Sequence, residues 1–104
     1  MLILTFNIQP VKAESTTWTV DDDGPADFHT IQEAINAANP GDTLNVYNGT
    51  YYENVRVNKT LSLIGQNRNT TIINGSQTGD VVHVTNNKVV ISGFTIQRGY
   101  RGFI

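Results

Sequence analysis

Two stretches of this chain carry the same pattern of short apolar runs. "VRVNKTLSLIG" (55–65) corresponds to "VHVTNNKVVISG" (82–93) at offsets of 27 and then 28 residues, with one residue inserted. "TIING" (71–75) corresponds to "TIQRG" (95–99) at an offset of 24 residues. One such unit cannot bury its own apolar face, whereas stacked units form a continuous core. The repeat therefore predicts a solenoid; an antiparallel sandwich would show tighter hairpins and no repeated triplet of strands.

Short β-branched and aromatic runs with Asn and Gly between them predict the strands of each turn. The predicted strands are 16–20, 43–47, 54–57, 60–65, 70–73, 81–84, 89–93 and 94–96, with corners at Asn48-Gly49, Asn58-Lys59, Asn74-Gly75 and Asn86-Asn87. Successive turns are expected to pair in parallel. The apolar ladders expected inside the coil are Val55 with Val82, Leu61 with Val89, and Leu63 with Ile91. Arg56 and His83 alternate with these positions, so they are expected on the outer face.

One amphipathic helix is predicted in "HTIQEAINAANPGD" (29–42). Thr30 and Glu33 have the spacing of a capping box, and Pro40-Gly41 ends the helix. The apolar positions at i, i+3, i+4 and i+7 share one face, and they are Ile31, Ala34, Ile35 and Ala38. A helix this short is stable only when that face packs on other apolar residues.

Composition excludes several classes of function. The chain has 104 residues, so it is one domain at most or a part of one. Its net charge is −2 and its Lys and Arg residues are scattered, so neither nucleic acid nor an anionic membrane is an expected partner. The absence of cysteine excludes disulfides, thiol catalysis and cysteine-ligated metal sites.

The first residues are similar to the end of an export signal. "MLILTF" is apolar but far shorter than the roughly 20 residues that cross a bilayer, so no integral membrane segment is expected. Val11 and Ala13 stand at positions −3 and −1 of a plausible signal-peptidase site. Residues 1–13 are therefore predicted to be a truncated signal peptide and residues 14–104 a secreted or cell-surface segment. An ordinary disordered N-terminal segment is the alternative.

Three motifs resemble the N-terminal part of right-handed parallel β-helix proteins of the pectin-lyase-like superfamily. They are F-x-T-I-Q-E-A (28–34), G-T-Y-x-E-N-V (49–55) and L-x-G-x-x-x-x-T-x-I (63–72), which resemble the opening of pectin methylesterases. "KVVISGFTIQRG" (88–99) is more similar to surface β-helix and NosD-like repeat proteins. The resemblance implies an all-β, right-handed, single-stranded parallel β-helix with a short N-terminal amphipathic capping helix. The sequence runs to "RGYRGFI" without a polar cap, just after its second full triplet of strands, so a domain that continues beyond residue 104 is expected.

The predicted function is a non-catalytic exported β-helix repeat domain, either a structural scaffold or a carbohydrate-binding module. The alternative is the N-terminal part of a polysaccharide-active enzyme, of the pectin esterase or pectate lyase type. In such enzymes the resemblance places the catalytic residues in later turns, so no catalytic residue and no cofactor is predicted here. Glu53 matches the Glu of the G-T-Y-x-E-N-V motif, where the resemblance implies a structural role.

Three groups of residues are candidates for binding or modification. Tyr47, Tyr51 and Tyr52 could stack on sugar rings of a polysaccharide or cell-surface glycan, although the resemblance implies that Tyr51 packs at a corner of the coil. Four N-glycosylation motifs begin at Asn48, Asn58, Asn69 and Asn74, where Asn also suits turn geometry. The acidic run Asp21, Asp22 and Asp23 could contact calcium weakly but lacks the ligand spacing of an EF-hand loop, and a solvated loop is the simpler interpretation.

Overall fold

The computed structural model describes residues 14–99 and shows a β-solenoid of about four turns. The elements are β1 (Thr17–Val20), α1 (Ile31–Ala37), β2 (Thr43–Val46), β3 (Gly49–Tyr52), β4 (Val55–Val57), β5 (Ser62–Gly65), β6 (Thr71–Asn74), β7 (Val82–Val84), β8 (Val90–Ser92) and β9 (Thr95–Gln97). The predicted signal peptide at residues 1–13 lies outside the described residues. Within them, no helix is long and apolar enough to cross a membrane.

The strands form three parallel sheets that run along the coil. Their strand orders are β1-β2-β5-β8, β3-β6-β9 and β4-β7, and every pair of neighbouring strands is parallel. Each strand therefore pairs with a strand from the turn before or after it, which is the arrangement that a solenoid requires. The predicted parallel β-helix with one short helix is confirmed.

The predicted ladders of the first and third sheets are confirmed in their register. Val55 pairs with Val82, and Leu63 pairs with Ile91. Leu61 and Val89 lie one residue before the paired Ser62 and Val90, so they continue the same register. As predicted, Arg56 and His83 are exposed partners on the outer face.

The predicted register of the second sheet was wrong by one residue. An offset of 24 would pair Ile72 with Ile96, but Ile96 pairs with Ile73 at an offset of 23. Ile73 is fully buried, whereas Ile72 points outward and is half-buried. Since neighbouring residues of a strand point to opposite faces, a slip of one residue would turn the apolar ladder out of the core.

Strand β3 was absent from the predicted strands, because Asn48-Gly49 has the composition of a turn. In the structure β3 begins at Gly49 and pairs with β6. Backbone pairing with the next turn therefore overrides the local turn preference. This strand completes the three-sided cross-section and places Tyr51 inside the coil.

Helix α1 begins as the sequence predicts. Thr30 is the N-cap, its hydroxyl accepts the N–H of Glu33 at 3.1 Å, and the same hydroxyl donates to the Glu33 carboxylate at 2.9 Å. The predicted apolar face is buried against the first turn, and its members are Ile31, Ala34, Ile35 and Ala38. The helix is thus held to the coil by its apolar face.

Residues around β4 hold both ends of α1. The Glu53 carboxylate accepts the N–H groups of Ile31 at 2.8 Å and Gln32 at 3.0 Å. The Lys59 ammonium donates to the carbonyls of Asn36 at 3.3 Å and Ala38 at 2.8 Å. A negative group at the N-terminus and a positive group at the C-terminus both oppose the helix dipole. Glu53 therefore has a structural role at this position.

Replacing Glu53 by glutamine is expected to lower the free energy of unfolding by about 1–2 kcal/mol, because a neutral amide cannot accept both N–H groups as a carboxylate does. Urea unfolding followed by circular dichroism measures the change. Glu33→Gln is the matched control, since glutamine also serves in a capping box and Glu33 is exposed. Equal losses in the two variants would contradict a capping role for Glu53.

Candidate functional site

The outer face of the second sheet carries the most exposed aromatic side chain among the described residues. Tyr52 is 70% exposed, whereas its neighbour Tyr51 is 2% exposed. This contrast follows from strand alternation, which points Tyr51 into the coil and Tyr52 away from it. Tyr52 pairs in register with Asn74, which pairs in turn with Gln97, so the phenol ring stands beside a row of amide side chains.

Tyr52 borders an open cleft of about 430 Å³, referred to below as the Tyr52 cleft. Its lining residues are Tyr52, Asn74, Ser76, Gln77 and Arg98. They come from three successive turns of the coil, at the place where β6 and β9 run into their corners. The cleft therefore combines an aromatic ring, two amides, a hydroxyl and a guanidinium on one surface.

The corners beside this cleft have unusual backbone geometry. Ser76, Gln77 and Arg98 have φ angles of 54°, 60° and 62°, in the left-handed region that residues other than glycine rarely adopt. The Asn74 carboxamide oxygen accepts the Ser76 N–H at 2.8 Å, and the Arg98 carbonyl accepts the Gln77 N–H at 2.8 Å. These hydrogen bonds hold the backbone of the corner from which Ser76 and Gln77 project.

The side chain of Asn54 ties the same corner to the preceding turn. Its amide group donates to the carbonyls of Thr78 and of Asp80, the latter at 3.0 Å, and its oxygen accepts the Thr78 hydroxyl at 3.1 Å. An Asn side chain can donate twice and accept, so one residue satisfies several backbone groups of the loop. The corner that presents Ser76 and Gln77 is therefore well anchored.

The three tyrosines of the sequence analysis lie in different environments. The hydroxyl of Tyr51 donates to the Tyr47 carbonyl at 2.8 Å inside the coil. Burial raises the pKa of Tyr51 well above its usual value, and the charge of Asp22 adds to the effect. Tyr51 thus packs in the core, the alternative that the sequence left open. Tyr47 is half-buried at a separate cleft of about 160 Å³ on the first sheet, with Asn45, Ile64 and Gln66.

The acidic run forms a compact exposed cluster. One carboxylate oxygen from each of Asp21, Asp22 and Asp23 lies within 4.8 Å of the others. The pKa of Asp23 is raised, chiefly by a hydrogen bond with the Asp21 carboxyl and then by the charges of Asp22 and Asp21. Calcium takes about six to eight oxygen ligands, so three carboxylates supply only part of a coordination shell. Calcium contact stays a prediction.

The four predicted glycosylation residues differ in their accessibility. Asn48, Asn58 and Asn69 are exposed. Asn74 is only 8% exposed, and its side-chain oxygen holds the corner through Ser76. Asn48 accepts the hydroxyls of Thr70 at 2.7 Å and Thr71 at 3.2 Å, which joins two turns. Because the side chain of Asn74 is buried, the folded coil leaves less room for a glycan at Asn74 than at the exposed Asn58 or Asn69.

Several ionisable side chains have structural partners. Asp42 is 2% exposed and accepts the N–H groups of Thr16 at 2.8 Å, Asn39 at 2.9 Å and the Trp18 indole at 3.0 Å. These three hydrogen bonds lower the pKa of Asp42. On the outer face, His83 lies 3.1 Å from Asp80. These contacts stabilise the coil and its corners.

Sequence reasoning missed Ser76, Gln77 and Arg98. Ser76 was noted only as the third residue of a glycosylation motif, and the last two carry no motif of their own. Asn74 was predicted as a glycosylation residue, and Tyr52 was grouped with Tyr47 and Tyr51 as a sugar-stacking candidate. No local signal could have joined them, because Tyr52 and Arg98 belong to turns that are separated by 46 residues in the sequence.

Comparison with known proteins gives no family assignment. No protein-family model matches this chain. No curated protein matches it with significance either. The class of the protein is therefore defined by the fold described above, a parallel β-solenoid with an N-terminal capping helix.

Proposed function

We propose that this chain is a non-catalytic, exported segment of a parallel β-helix that binds polysaccharide through the Tyr52 cleft. The observation that carries the proposal is the exposed Tyr52 ring beside amides and a guanidinium in an open cleft. The proposal includes membership of the pectin-lyase-like superfamily. The stacked parallel turns, the capping helix and the three motifs that resemble that superfamily support it.

The chemistry of the cleft suits a sugar chain. The apolar face of a pyranose packs on an aromatic ring, while hydroxyl groups need donors and acceptors at the rim. Gln77 supplies both kinds of group, and Arg98 supplies paired donors of the geometry that a carboxylate accepts. The cleft is open, so the middle of a long polymer can enter it. An acidic polysaccharide is therefore the preferred ligand class.

Binding to polygalacturonate and to a neutral β-glucan, measured by isothermal titration, tests this proposal. Tyr52→Ala is expected to weaken polygalacturonate binding at least tenfold, and Tyr52→Phe to keep most of it, because the ring supplies the stacking surface. Arg98→Gln is expected to weaken binding of the acidic polymer alone. Tyr47→Ala is the matched control, since Tyr47 lies at the separate cleft of the first sheet.

Two results would contradict the proposal. Equal binding by the wild-type chain and Tyr52→Ala would place any polysaccharide site elsewhere. Release of methanol or of unsaturated products from pectin by the wild-type chain would show that it is catalytic.

A further inference from the structure

The charges of this chain are divided along the coil. Residues 14–53, which include β1, α1, β2 and β3, contain eight Asp and Glu residues and no Lys or Arg. Residues 54–99 contain five Lys and Arg residues and a single acidic residue, Asp80. The net charge of −2 therefore conceals an acidic beginning of the coil and a basic continuation. The basic part attracts a polyanion, and the acidic part repels it.

A small cleft of about 130 Å³ lies on the outer face of β4 and β7 in the basic part, and it is called the Arg56 cleft below. Arg56 and His83 are paired in register on these neighbouring strands and both are exposed, so their side chains begin about 5 Å apart. These side chains project from the face of the sheet and not from its edge, so a further strand on β7 would leave the cleft open. The residues that line it are Asn54, Val55, Arg56, Gly79, Asp80 and His83.

The Arg56 guanidinium is available to a ligand. Within residues 14–99 it forms no ion pair with a carboxylate. The strand that carries it is nevertheless held in place, because the Gln32 side chain accepts the Arg56 N–H at 2.8 Å and donates to the Arg56 carbonyl at 3.2 Å. A guanidinium offers paired N–H donors in the geometry that a carboxylate accepts. The cleft therefore presents a cation that is suited to a carboxylate ligand.

His83 supplies an acceptor beside this cation. Its Nδ1 lies 3.1 Å from the Asp80 carboxylate. An ionised carboxylate only accepts hydrogen bonds, so Nδ1 carries the proton and Nε2 of the neutral ring is an acceptor. In the described part of the chain no group bonds to Nε2, so a hydroxyl group of a ligand can donate to it. Donors for a carboxylate next to an acceptor for a hydroxyl match the groups of a uronic acid residue.

The Arg56 cleft adjoins the Tyr52 cleft. Tyr52 lines one and Asn54 lines the other, and two residues of extended chain separate their Cα atoms by no more than about 7 Å. Gln77 and Gly79 stand in the same relation on the loop between β6 and β7. The two clefts thus lie on either side of one corner of the coil. A polymer that leaves one cleft can enter the other.

We propose that the Arg56 cleft is a second subsite for the acidic polysaccharide, in which the Arg56 guanidinium binds a uronate carboxylate and His83 Nε2 accepts a hydroxyl group of the same sugar residue. This inference rests on the function proposed for the Tyr52 cleft, and it extends the path of the polymer over the corner between the second and third sheets. A chain that occupies both clefts binds more tightly than a chain in either one, because its second contact is made within the complex already formed.

Isothermal titration with polygalacturonate tests the second subsite. Arg56→Gln is expected to weaken binding at least fivefold, and Arg56→Lys to weaken it as well, since an ammonium group does not bind a carboxylate in the bidentate manner. Arg68→Gln is the matched control, because Arg68 is exposed at the corner between the first and second sheets and loses the same charge. Its affinity is expected to stay within twofold of wild type. Circular dichroism verifies that each variant is folded.

Nuclear magnetic resonance gives a readout that needs no substitution. His29 and His83 are the two histidines of the chain, so their ring signals can be followed separately. His29 belongs to the acidic part, where its Nδ1 lies 2.9 Å from the Asp21 carbonyl oxygen. Addition of a short oligogalacturonate is expected to shift the ring signals of His83 and to leave those of His29 unchanged.

The second subsite and the Tyr52 cleft fail in different ways. Wild-type affinity of Arg56→Gln, or unchanged His83 signals, together with a loss in Tyr52→Ala would overturn the second subsite and leave the Tyr52 cleft as the site. Equal losses in Arg56→Gln and Arg68→Gln would show attraction by charge alone, which also overturns it. A loss in Arg56→Gln without one in Tyr52→Ala would contradict the Tyr52 cleft and with it the shared path. Binding that neither substitution changes would contradict both.

Discussion

Alanine in place of Gly65 is expected to lower the free energy of unfolding by about 3 kcal/mol or more, because the added methyl group has no space. An ideal Cβ atom at Gly65 would lie 2.1 Å from the Gly93 carbonyl oxygen and 3.2 Å from the Phe94 ring. The first contact is with backbone of the next turn, so no side-chain rotation relieves it. The two turns would have to separate, and the ladders beside them would lose contact.

Gly65 and Gly93 pack against each other so closely that neither position has space for a side chain. Gly93 has a φ of +82°, and a Cβ atom built there would lie 2.3 Å from the Gly65 carbonyl oxygen. Glycine is therefore required at Gly93 for its conformation and at Gly65 for the close contact.

Urea unfolding of Gly65→Ala and Gly99→Ala measures this effect. Gly99 has no positive φ, and its ideal Cβ atom meets nothing closer than the Val81 side chain at 3.4 Å. The control variant is expected to change the free energy of unfolding by less than about 1 kcal/mol. Similar values for the two variants would contradict the close packing of Gly65 on Gly93.

Asparagine in place of Asp42 is expected to cost about 2–4 kcal/mol, because hydrogen bonds to a buried charged acceptor are stronger than those to a neutral one. The carboxylate accepts three N–H groups, from Thr16, Asn39 and the Trp18 indole. These groups lie before β1, at the end of α1 and in β1, so one side chain joins the start of the coil to its cap. The amide group of asparagine would face donors with a donor of its own.

This loss is expected to depend on pH. The pKa of Asp42 is lowered in the folded chain by the N–H groups of Thr16 and Asn39 and by the Trp18 indole, relative to an ordinary value of 3.8. A carboxyl with a lowered folded-state pKa contributes stability that is fully present above the unfolded-state pKa. That stability disappears as the pH falls through the folded-state pKa, when the folded chain also takes up the proton.

The difference in free energy of unfolding between wild type and Asp42→Asn is therefore expected to be constant near neutral pH and to shrink below about pH 4. Urea unfolding at a series of pH values gives this difference. Asp80→Asn is the matched control, because Asp80 is exposed and its carboxylate contacts His83 on the surface. A difference for Asp42→Asn that does not fall at acid pH would rule out a charged acceptor at this position.

Much of the fold followed from local patterns. Alternation of apolar and polar residues placed Val55, Leu61 and Leu63 inside the coil, and the capping residues Thr30 and Glu33 located the start of α1. These patterns involve only a few neighbouring residues, so they can be recognised without knowing which strand is the partner. The repeat then identified the partners in two of the three sheets.

Strand β3 and the register of the second sheet needed the tertiary structure. Asn48-Gly49 has the local preference of a turn, and only pairing with β6 makes the segment a strand. Ile73 pairs with Ile96 because both are inward positions of the ladder, whereas the sequence alignment of 71–75 with 95–99 would pair Ile72 with Ile96. Turn length varies from one sheet to the next, so an offset found in one place does not transfer to another.

The candidate site was predictable only in part. The sequence alone was sufficient to mark Tyr52, together with Tyr47 and Tyr51, as a sugar-stacking candidate, since residue type is a local property. Only strand β3 showed that Tyr52 points outward and Tyr51 inward. The placement of Arg98 and Gln77 beside Tyr52, and of Glu53 on the helix, was decided by the tertiary structure. The physical reason is that stacked turns bring together residues that are distant in the chain. The length of each corner determines which residues become neighbours, and that length depends on the packing of the whole coil.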